Sequence, residues 1–165
     1  MALRHRIEAS QGYFELGMVE DALRELDAGS AAERAHPETL HLRIQILLSC
    51  RRWDEALDQS RQLCDLVPDS TAGYIHQAYC LHELGRTRDA RETLIGGPDS
   101  LREEPVFFYN LGCYEARLGQ RDAARAWLLR SFEMEPDLRH QAKGDPDLRD
   151  LWGDLEAALN EDETP

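Results

Sequence analysis

The sequence contains one glycine-rich stretch with residue types that could bind phosphate, "LIGGPDSL", around Gly96, Gly97 and Pro98. A nucleotide-binding loop needs backbone N–H groups between a strand and a helix, together with a lysine that reaches the phosphates. This stretch has neither a strand pattern before it nor a lysine after it, so it is predicted to connect two helices. The patterns G-x-S-x-G and H-E-x-x-H, which would indicate a hydrolase or a zinc protease, do not occur in the sequence.

Histidine and carboxylate side chains are the other candidates for chemistry. His76 and His82 lie six positions apart, which places them on different faces of a helix, and His41 could join them only through the fold. The numerous Asp and Glu residues follow exposed helix faces and turns, a pattern typical of solvated charge. We therefore predict no catalytic residue, no metal ion and no cofactor, and we expect that the chain is not an enzyme.

The composition indicates one folded domain. The chain has 165 residues, of which 42% are hydrophobic and 31% charged. The net charge of -13 repels phosphate backbones and anionic lipid head groups, so neither nucleic acid nor a membrane is an expected partner. The start "MALRHRIEAS" lacks the apolar core of a signal peptide, so we expect a cytoplasmic protein. The four cysteines show no C-x-x-C spacing, which favours reduced thiols.

A period of 34 residues organises most of the chain. Alanine recurs at this interval, and the residue five positions before each alanine is glycine in three of four units. The alanines are Ala22, Ala56, Ala90 and Ala124, and the preceding residues are Gly17, Arg51, Gly85 and Gly119. Four positions after the alanines, one turn along the same helical face, stand Leu26, Ser60, Leu94 and Leu128. The sequence therefore predicts one helix pair repeated in series.

This period and its residue types resemble the tetratricopeptide repeat, whose pattern runs aromatic, Leu-Gly, aromatic, Ala, aromatic, Pro over 34 residues. The fourth unit matches best, at Phe108, Leu111, Gly112, Gly119, Ala124, Leu128 and Pro136. It departs at Glu115, where the family usually has an aromatic residue and where Tyr114 stands one place early. The second unit departs at its turn, where Arg51 replaces glycine. Four consecutive units over residues 3–136 carry the resemblance.

The two glycines of the fourth unit predict how its helices pack. A glycine inside a helix costs about 1 kcal/mol relative to alanine. Gly112 is therefore expected to let the second helix of its own pair approach closely, with Ala124 on the other side of the contact. Gly119 lies where the first helix stops, a position suited to the left-handed conformation that glycine adopts without strain.

A longer period of 68 residues is also visible. The letters "ELG" recur at 15–17 and 83–85, and three further matches are Gly29 with Gly97, Pro37 with Pro105, and Pro68 with Pro136. Duplication of a two-repeat ancestor or chance agreement would each produce this pattern.

The resemblance implies an all-α fold, a right-handed superhelical α-solenoid of four helix pairs plus a C-terminal capping helix. A single domain at 1–160 would hold repeats at about 3–36, 37–70, 71–104 and 105–138. Helices are expected at 3–15, 18–28, 37–49, 53–66, 71–83, 87–95, 105–117 and 121–134, with looser connections at 29–37 and 96–105. A stripe of leucines after Pro136 predicts the capping helix at about 146–159, which would cover the last exposed face, and an acidic tail at 161–165.

Tetratricopeptide arrays resemble one another in binding peptides or partner helices in a concave groove lined by the first helix of each pair. The resemblance assigns ten residues to this peptide-binding groove: Ile7, Gln11, His41, Gln45, Ile75, Tyr79, His82, Tyr109, Cys113 and Arg117. For Ile75, Tyr79 and Tyr109, packing between repeats is an equal alternative. The implied function is a non-catalytic protein-interaction scaffold or adaptor.

The groove sequence also indicates what the partner is. Some family members clamp a C-terminal carboxylate with Lys, Asn and Arg, but the matching positions here are Ile7, Gln11, Leu42, Ala72 and His76. Chaperone C-terminal tails are therefore not expected ligands. The acidic net charge favours a neutral or basic protein or peptide, and a monomer is the favoured oligomeric state.

Two other functions stay open. Type III secretion chaperones look like short acidic tetratricopeptide arrays, but they usually have three units and an N-terminal dimerisation segment, whereas the first unit here begins almost at Met1. An enzyme or metal-binding protein that uses the repeat surface is the third hypothesis, and the motifs in the sequence give it little support.

Overall fold

The computed structural model describes residues 2–162, and between these residues it contains helices and turns but no β-strand. The α-helices are α1 (Ala2–Glu15), α2 (Val19–Asp27), α3 (Ala31–Arg34), α4 (Pro37–Ser49), α5 (Trp53–Leu66), α6 (Thr71–Glu83), α7 (Thr87–Ile95), α8 (Pro105–Arg117), α9 (Arg121–Met134), α10 (Leu138–Gly144) and α11 (Trp152–Asp162). Two 3-10 helices span Asp99–Glu103 and Pro146–Leu148. Within the described part of the chain, no helix is both long and apolar enough to cross a bilayer.

Eight of these helices form four consecutive pairs, α1 with α2, α4 with α5, α6 with α7, and α8 with α9. Short turns at 16–18, 50–52, 84–86 and 118–120 join the two helices of each pair. All eight helices begin and end within one residue of the ranges predicted from the sequence. The pairs pack in series through α2 with α4, α5 with α6, and α7 with α8.

The connections expected to be loose are in fact ordered by short helices. The 29–37 connection contains α3, which begins at a capping box. The Ser30 hydroxyl accepts a hydrogen bond from the Glu33 N–H at 3.3 Å, and the Glu33 carboxylate accepts one from the Ser30 N–H at 2.8 Å. The 96–105 connection contains the first 3-10 helix, whose Leu101 is fully buried. Local capping and one buried leucine therefore hold these segments against the pairs.

The four turns within the pairs share one backbone conformation. Gly17, Gly85 and Gly119 have φ of 75°, 78° and 79°, and Arg51 in the same phase has φ of 58°. In each turn the next residue donates its N–H to the carbonyl five positions back, at 2.8 to 2.9 Å, which closes the helix end. Arg51 therefore keeps the backbone geometry of the glycines. A non-glycine residue in this left-handed conformation is strained by about 1–2 kcal/mol.

Small residues form the contact between the two helices of a pair. The four period alanines are completely buried. A Cβ built on Gly112 would overlap Leu128 Cγ, lie 2.8 Å from Leu128 Cδ2, and lie 3.2 Å from the Ala124 carbonyl oxygen. The predicted role of Gly112 is thereby confirmed. In the first pair the same position is Ser10, whose hydroxyl donates to the Ala22 carbonyl at 2.8 Å, so a polar side chain fits there without an unsatisfied group.

The second pair has a large residue where the other pairs have a small one. In the repeat phase, Ser10, Ala78 and Gly112 match a leucine on the second helix, and Gly112 contacts its leucine, Leu128. The equivalents in the second pair are Ile44 and Ser60, both fully buried. The Ser60 hydroxyl is satisfied by the Ala56 carbonyl at 2.7 Å. The larger first residue is thus matched with a smaller second residue, and volume-conserving exchanges of this kind are the ones that cores tolerate best.

The chain after the fourth pair folds back as a cap in three short pieces. These pieces are α10, the second 3-10 helix and α11. Four leucines of this part of the chain are buried, namely Leu138, Leu148, Leu151 and Leu155. The single helix predicted at 146–159 is thus replaced by a 3-10 turn and a helix from Trp152 to Asp162. Asp145 starts the 3-10 turn by accepting the Asp147 N–H at 3.0 Å. Of the predicted acidic tail, residues 161 and 162 belong to α11, and residues 163–165 lie outside the described part of the chain.

We expect Arg51→Gly to raise the free energy of unfolding by about 0.5–1 kcal/mol. Glycine removes the left-handed strain, and the greater freedom of the unfolded chain offsets part of this gain. Urea denaturation followed by circular dichroism measures the change. The reciprocal variant Gly85→Arg should lower the free energy of unfolding by about 1 kcal/mol. If Arg51→Gly is no more stable than wild type, the backbone at Arg51 is not strained.

Alanine substitutions at two helical glycines should have opposite effects. Gly12→Ala should raise the free energy of unfolding by about 0.5–1 kcal/mol, because alanine favours the helix and nothing lies within 4 Å of the new Cβ. Gly112→Ala should lower the free energy of unfolding by about 1–3 kcal/mol, because the cost of the overlap with Leu128 is larger than the gain in helix propensity. Thermal and urea denaturation distinguish the two outcomes, and stabilisation by both variants would disprove the close contact.

Candidate functional site

The ten predicted groove residues lie on the first helices of the pairs, α1, α4, α6 and α8. The structure brings eight of them into two pockets. The N-terminal pocket contains Ile7, Gln11, His41 and Gln45, and the C-terminal pocket contains Tyr79, His82, Tyr109 and Cys113. Ile75 packs, partly buried, against the main core, and Arg117 is paired with Asp147 next to the C-terminal pocket. The nominated residues therefore form two sites instead of one continuous row.

The N-terminal pocket has a volume of about 590 Å³ and is lined by α1, α4 and the end of α5. This volume lies within the roughly 300–1,000 Å³ usual for ligand sites. Its apolar wall consists of Ile7, Phe14, Pro37, Leu42, Leu63 and Val67. The amides of Gln11 and Gln45 are exposed at its surface, and Gln11 Nε2 donates to the Glu15 carboxylate at 3.2 Å. An apolar wall with a few polar groups is suited to side chains of a peptide.

The C-terminal pocket, of about 610 Å³, has part of its wall built from the chain's own residues 141–147. We call Asp145, Pro146 and Asp147 the acidic segment. The Tyr109 hydroxyl donates to Asp145 Oδ2 at 2.8 Å, and the Cys113 thiol donates to the same oxygen at 3.7 Å. The two groove side chains from α8 thus hold the first carboxylate of the segment.

A histidine and an arginine hold the second carboxylate of the acidic segment. His82 Nε2 lies 2.7 Å from Asp147 Oδ2, and Arg117 Nε lies 3.5 Å from Asp147 Oδ1. The other ring nitrogen of His82 lies 3.0 Å from the Thr87 hydroxyl, which fixes the orientation of the imidazole. Four of the residues nominated to bind a partner therefore bind a segment of this chain.

This arrangement changes which nominated side chains a partner can reach. Tyr109 is 2% exposed and Cys113 is 4% exposed, whereas Tyr79 is 37% exposed and contacts Trp53 edge to face at 5.8 Å between ring centroids. The sequence pattern predicted a helix from about residue 146 and gave no site role to Asp145 or Asp147. Their partners lie 36 and 65 positions away in the chain, and no local pattern signals such contacts.

Solved structures with the same arrangement of helices are numerous, although no protein-family model and no curated protein sequence matches the chain. The structure of a TPR protein from Thermus thermophilus matches with a TM-score of 0.72 at 19% identity, covering 93% of this chain and 82% of that one. The chain has the tetratricopeptide repeat fold. Identity this low shows the shared fold, and the function must be argued from the site.

Two further tetratricopeptide-like structures match over nearly the whole chain. One is residues 41 to the end of MamA from Desulfovibrio magneticus RS-1, with a TM-score of 0.77, 16% identity, and coverage of 96% of this chain and 90% of that one. The other is PilF from Pseudomonas aeruginosa, with a TM-score of 0.75, 17% identity, and coverage of 96% and 71%. The all-α solenoid predicted from the sequence is confirmed.

The two pockets are equivalent under the 68-residue shift noted in the sequence. The matched pairs are Gln11 with Tyr79, His41 with Tyr109, Gln45 with Cys113, Phe14 with His82, and Ser49 with Arg117. The residues that hold the acidic segment are therefore not repeated in the N-terminal pocket. In particular, the histidine and the arginine that face Asp147 are replaced at the matching positions by an aromatic ring and a hydroxyl.

Three of the four thiols are poor nucleophiles. All four cysteines are free, and Cys64, Cys80 and Cys113 are buried. Burial, reinforced by a neighbouring carboxylate, raises the pKa of Cys64 to about 11 and that of Cys80 to about 12. Burial, together with the charges of Asp145 and Asp147, raises the pKa of Cys113 well above its usual value. These thiols are protonated at neutral pH.

One set of residues among those described could in principle coordinate a metal ion. Donor atoms of Cys113, Asp145 and Asp147 lie within 4.8 Å of one another. Each of these side chains already makes the hydrogen bonds that seat the acidic segment, and a metal ion would require the Cys113 thiolate that its surroundings disfavour. The hydrogen bonds that hold the acidic segment therefore explain why Cys113, Asp145 and Asp147 lie close together.

A histidine pair lies beside the N-terminal pocket. The rings of His41 and His76 stand edge to face with centroids 5.9 Å apart. Burial, and secondarily the charge of His41, lowers the pKa of His76 from 6.5 to about 4. His76 is therefore neutral in the folded protein at neutral pH.

We expect His76 to make the protein less stable in mild acid. Between pH 6.5 and 4 the unfolded chain binds a proton at His76 that the folded chain excludes, so the free energy of unfolding falls as pH falls through this window. Between about pH 7 and pH 5 this loss is about 2 kcal/mol, and His76→Gln should remove it. Urea denaturation midpoints at both pH values measure this loss of stability. His140→Gln, which changes an exposed histidine, is the control. An unchanged pH dependence in His76→Gln would show that His76 does not cause the loss.

Proposed function

We propose that this chain is a non-catalytic scaffold or adaptor that binds a peptide or helix of a partner protein. The observation that carries the proposal is the N-terminal pocket, an open site of about 590 Å³ on α1 and α4, the first helices of the first two pairs. In the equivalent C-terminal pocket the acidic segment forms part of the wall and already binds Tyr109, His82 and Cys113. The proposed binding surface is therefore the N-terminal half of the groove.

The chemistry of the N-terminal pocket supports a protein ligand. Its apolar wall can bury aliphatic or aromatic side chains, which provide most of the affinity in peptide recognition. Gln11, His41 and Gln45 can donate and accept hydrogen bonds, which set the register of a bound backbone. A rigid support also exists, since Leu42 on the pocket wall is 8% exposed and belongs to the main core. A preformed site of this kind loses little entropy on binding.

The C-terminal pocket supports the proposal in a second way. There the equivalent face of α6 and α8 binds the carboxylates of a short segment, residues 145–147, through side chains of the first helices. Tyr79, which is 37% exposed, also lines this pocket, and Arg117 pairs with Asp147 beside it. The proposal keeps four repeats at about 3–36, 37–70, 71–104 and 105–138, places partner binding in the first two, and assigns the last two to binding the chain's own cap.

The double variant Gln11→Ala/Gln45→Ala should weaken partner binding about fivefold or more without loss of helix content. Removing polar groups at the centre of a binding site usually costs more than about 1 kcal/mol, and both side chains are exposed, so folding does not depend on them. The tagged protein captures the partner from the native host, and isothermal titration with the purified partner then gives the affinity.

The matched control is Gln62→Ala/Gln120→Ala, which removes two exposed glutamines that do not line the N-terminal pocket. Its affinity should equal that of wild type. Equal affinity for wild type and for the Gln11/Gln45 variant would remove the N-terminal pocket from the proposed function. Turnover of a substrate by the purified chain would contradict the non-catalytic part of the proposal.

A further inference from the structure

The two pockets, equivalent under the 68-residue shift, differ in the side chains available to bind a carboxylate. His82 in the C-terminal pocket and Arg117 beside it face the carboxylate of Asp147. The residues at the matching positions in the first two repeats are Phe14 and Ser49, neither of which carries charge. An acidic segment like residues 145–147 would therefore find no cation to pair with in the N-terminal pocket.

The charged side chains that line the N-terminal pocket are carboxylates. Glu15 and Glu38 both line it and are exposed, and no lysine or arginine among the described residues lines it. Neither carboxylate forms an ion pair within residues 2–162, whereas several other acidic side chains of the first two pairs are bound by arginine. The nearby His76 is neutral because burial lowers its pKa to about 4. Two negative charges without a cationic partner therefore stand at an apolar site.

The apolar wall limits what can sit between these carboxylates. Phe14, Leu42 and Val67 contribute hydrocarbon surface, and a ligand gains affinity only where it covers that surface with apolar groups. A ligand that is merely cationic would leave the wall exposed to water. A ligand that is merely apolar would leave Glu15 and Glu38 partly desolvated without a partner, which is unfavourable.

We infer that the N-terminal pocket binds a protein segment that presents apolar side chains together with at least one lysine or arginine. This inference rests on the proposed function and specifies the chemistry of its ligand. The apolar side chains cover Phe14 and its neighbours, and the cation lies between or beside Glu15 and Glu38. In the C-terminal half, His82 and Arg117 of the same repeated face show that side chains at these positions can bind a charged segment of protein.

Selection from a random dodecapeptide library displayed on phage, with the full chain as the immobilised target, tests the inference before the natural partner is identified. Selected peptides should combine aliphatic or aromatic residues with Lys or Arg. Selection on Glu15→Lys/Glu38→Lys should instead yield peptides with Asp or Glu. Glu103→Lys/Glu156→Lys makes the same charge change at exposed sites that do not line the pocket, and it should select the wild-type class.

The strongest selected peptide, labelled and measured by fluorescence anisotropy, gives the size of the effect. Glu15→Gln/Glu38→Gln should weaken its binding about 2- to 30-fold, the range expected for losing two partly exposed ion pairs. Binding to wild type should weaken with added salt, and the salt dependence should fall in the variant. Glu103→Gln/Glu156→Gln should bind as wild type does.

The outcomes separate this inference from the proposed function. Peptides that bind in the pocket, as shown by weaker binding to Gln11→Ala/Gln45→Ala, but that carry acidic residues or no charge would overturn the inference and leave the proposed function standing. Peptides whose binding the Gln11/Gln45 variant does not change, or a library with no selected binder, would overturn both. Circular dichroism of each variant shows that any loss arises from the site and not from unfolding.

Discussion

The close crossing of the two helices within each pair is the contact on which the solenoid depends. At this crossing in the fourth pair, one helix presents almost no side chain, at Gly112, and the other presents a completely buried alanine, Ala124. The backbones approach closely enough that a single methyl group on Gly112 would collide with Leu128. The first helices of the pairs carry the residues of the two pockets, α1 and α4 those of the N-terminal pocket and α6 and α8 those of the C-terminal pocket.

The turn that follows the first helix is the second part of this constraint. It must reverse the chain within three residues, and a left-handed residue followed by a hydrogen bond five positions back achieves this. The second pair keeps the geometry with Arg51 in place of glycine, and it also exchanges the sizes of the residues at the crossing, with Ile44 against Ser60. The architecture thus tolerates changes in residue type provided that the backbone path and the core volume are kept.

A repeated scaffold gives repeated surfaces, and side chains then distinguish them. The C-terminal pocket uses Tyr109, His82 and Arg117 to hold the acidic segment, so the chain after the fourth repeat is attached to the face that repeats three and four provide. In the N-terminal pocket the equivalent positions carry no permanent positive charge, and Glu15 and Glu38 have no cationic partner among the described residues. One structural frame therefore supports a pocket whose side chains bind the chain's own acidic segment and a second pocket whose carboxylates have no cationic partner among the described residues.

The sequence by itself determined the eight paired helices, their turns and the role of Gly112, because periodicity, glycine and helix propensity act over a few residues and are repeated four times. It could also nominate one helical face as the site, since side chains three and four positions apart share a face. Only the tertiary structure decided that this face is divided into two pockets. Tyr109 meets Asp145 across 36 positions and His82 meets Asp147 across 65, and contacts at such separations depend on how the cap folds back, which no local pattern encodes.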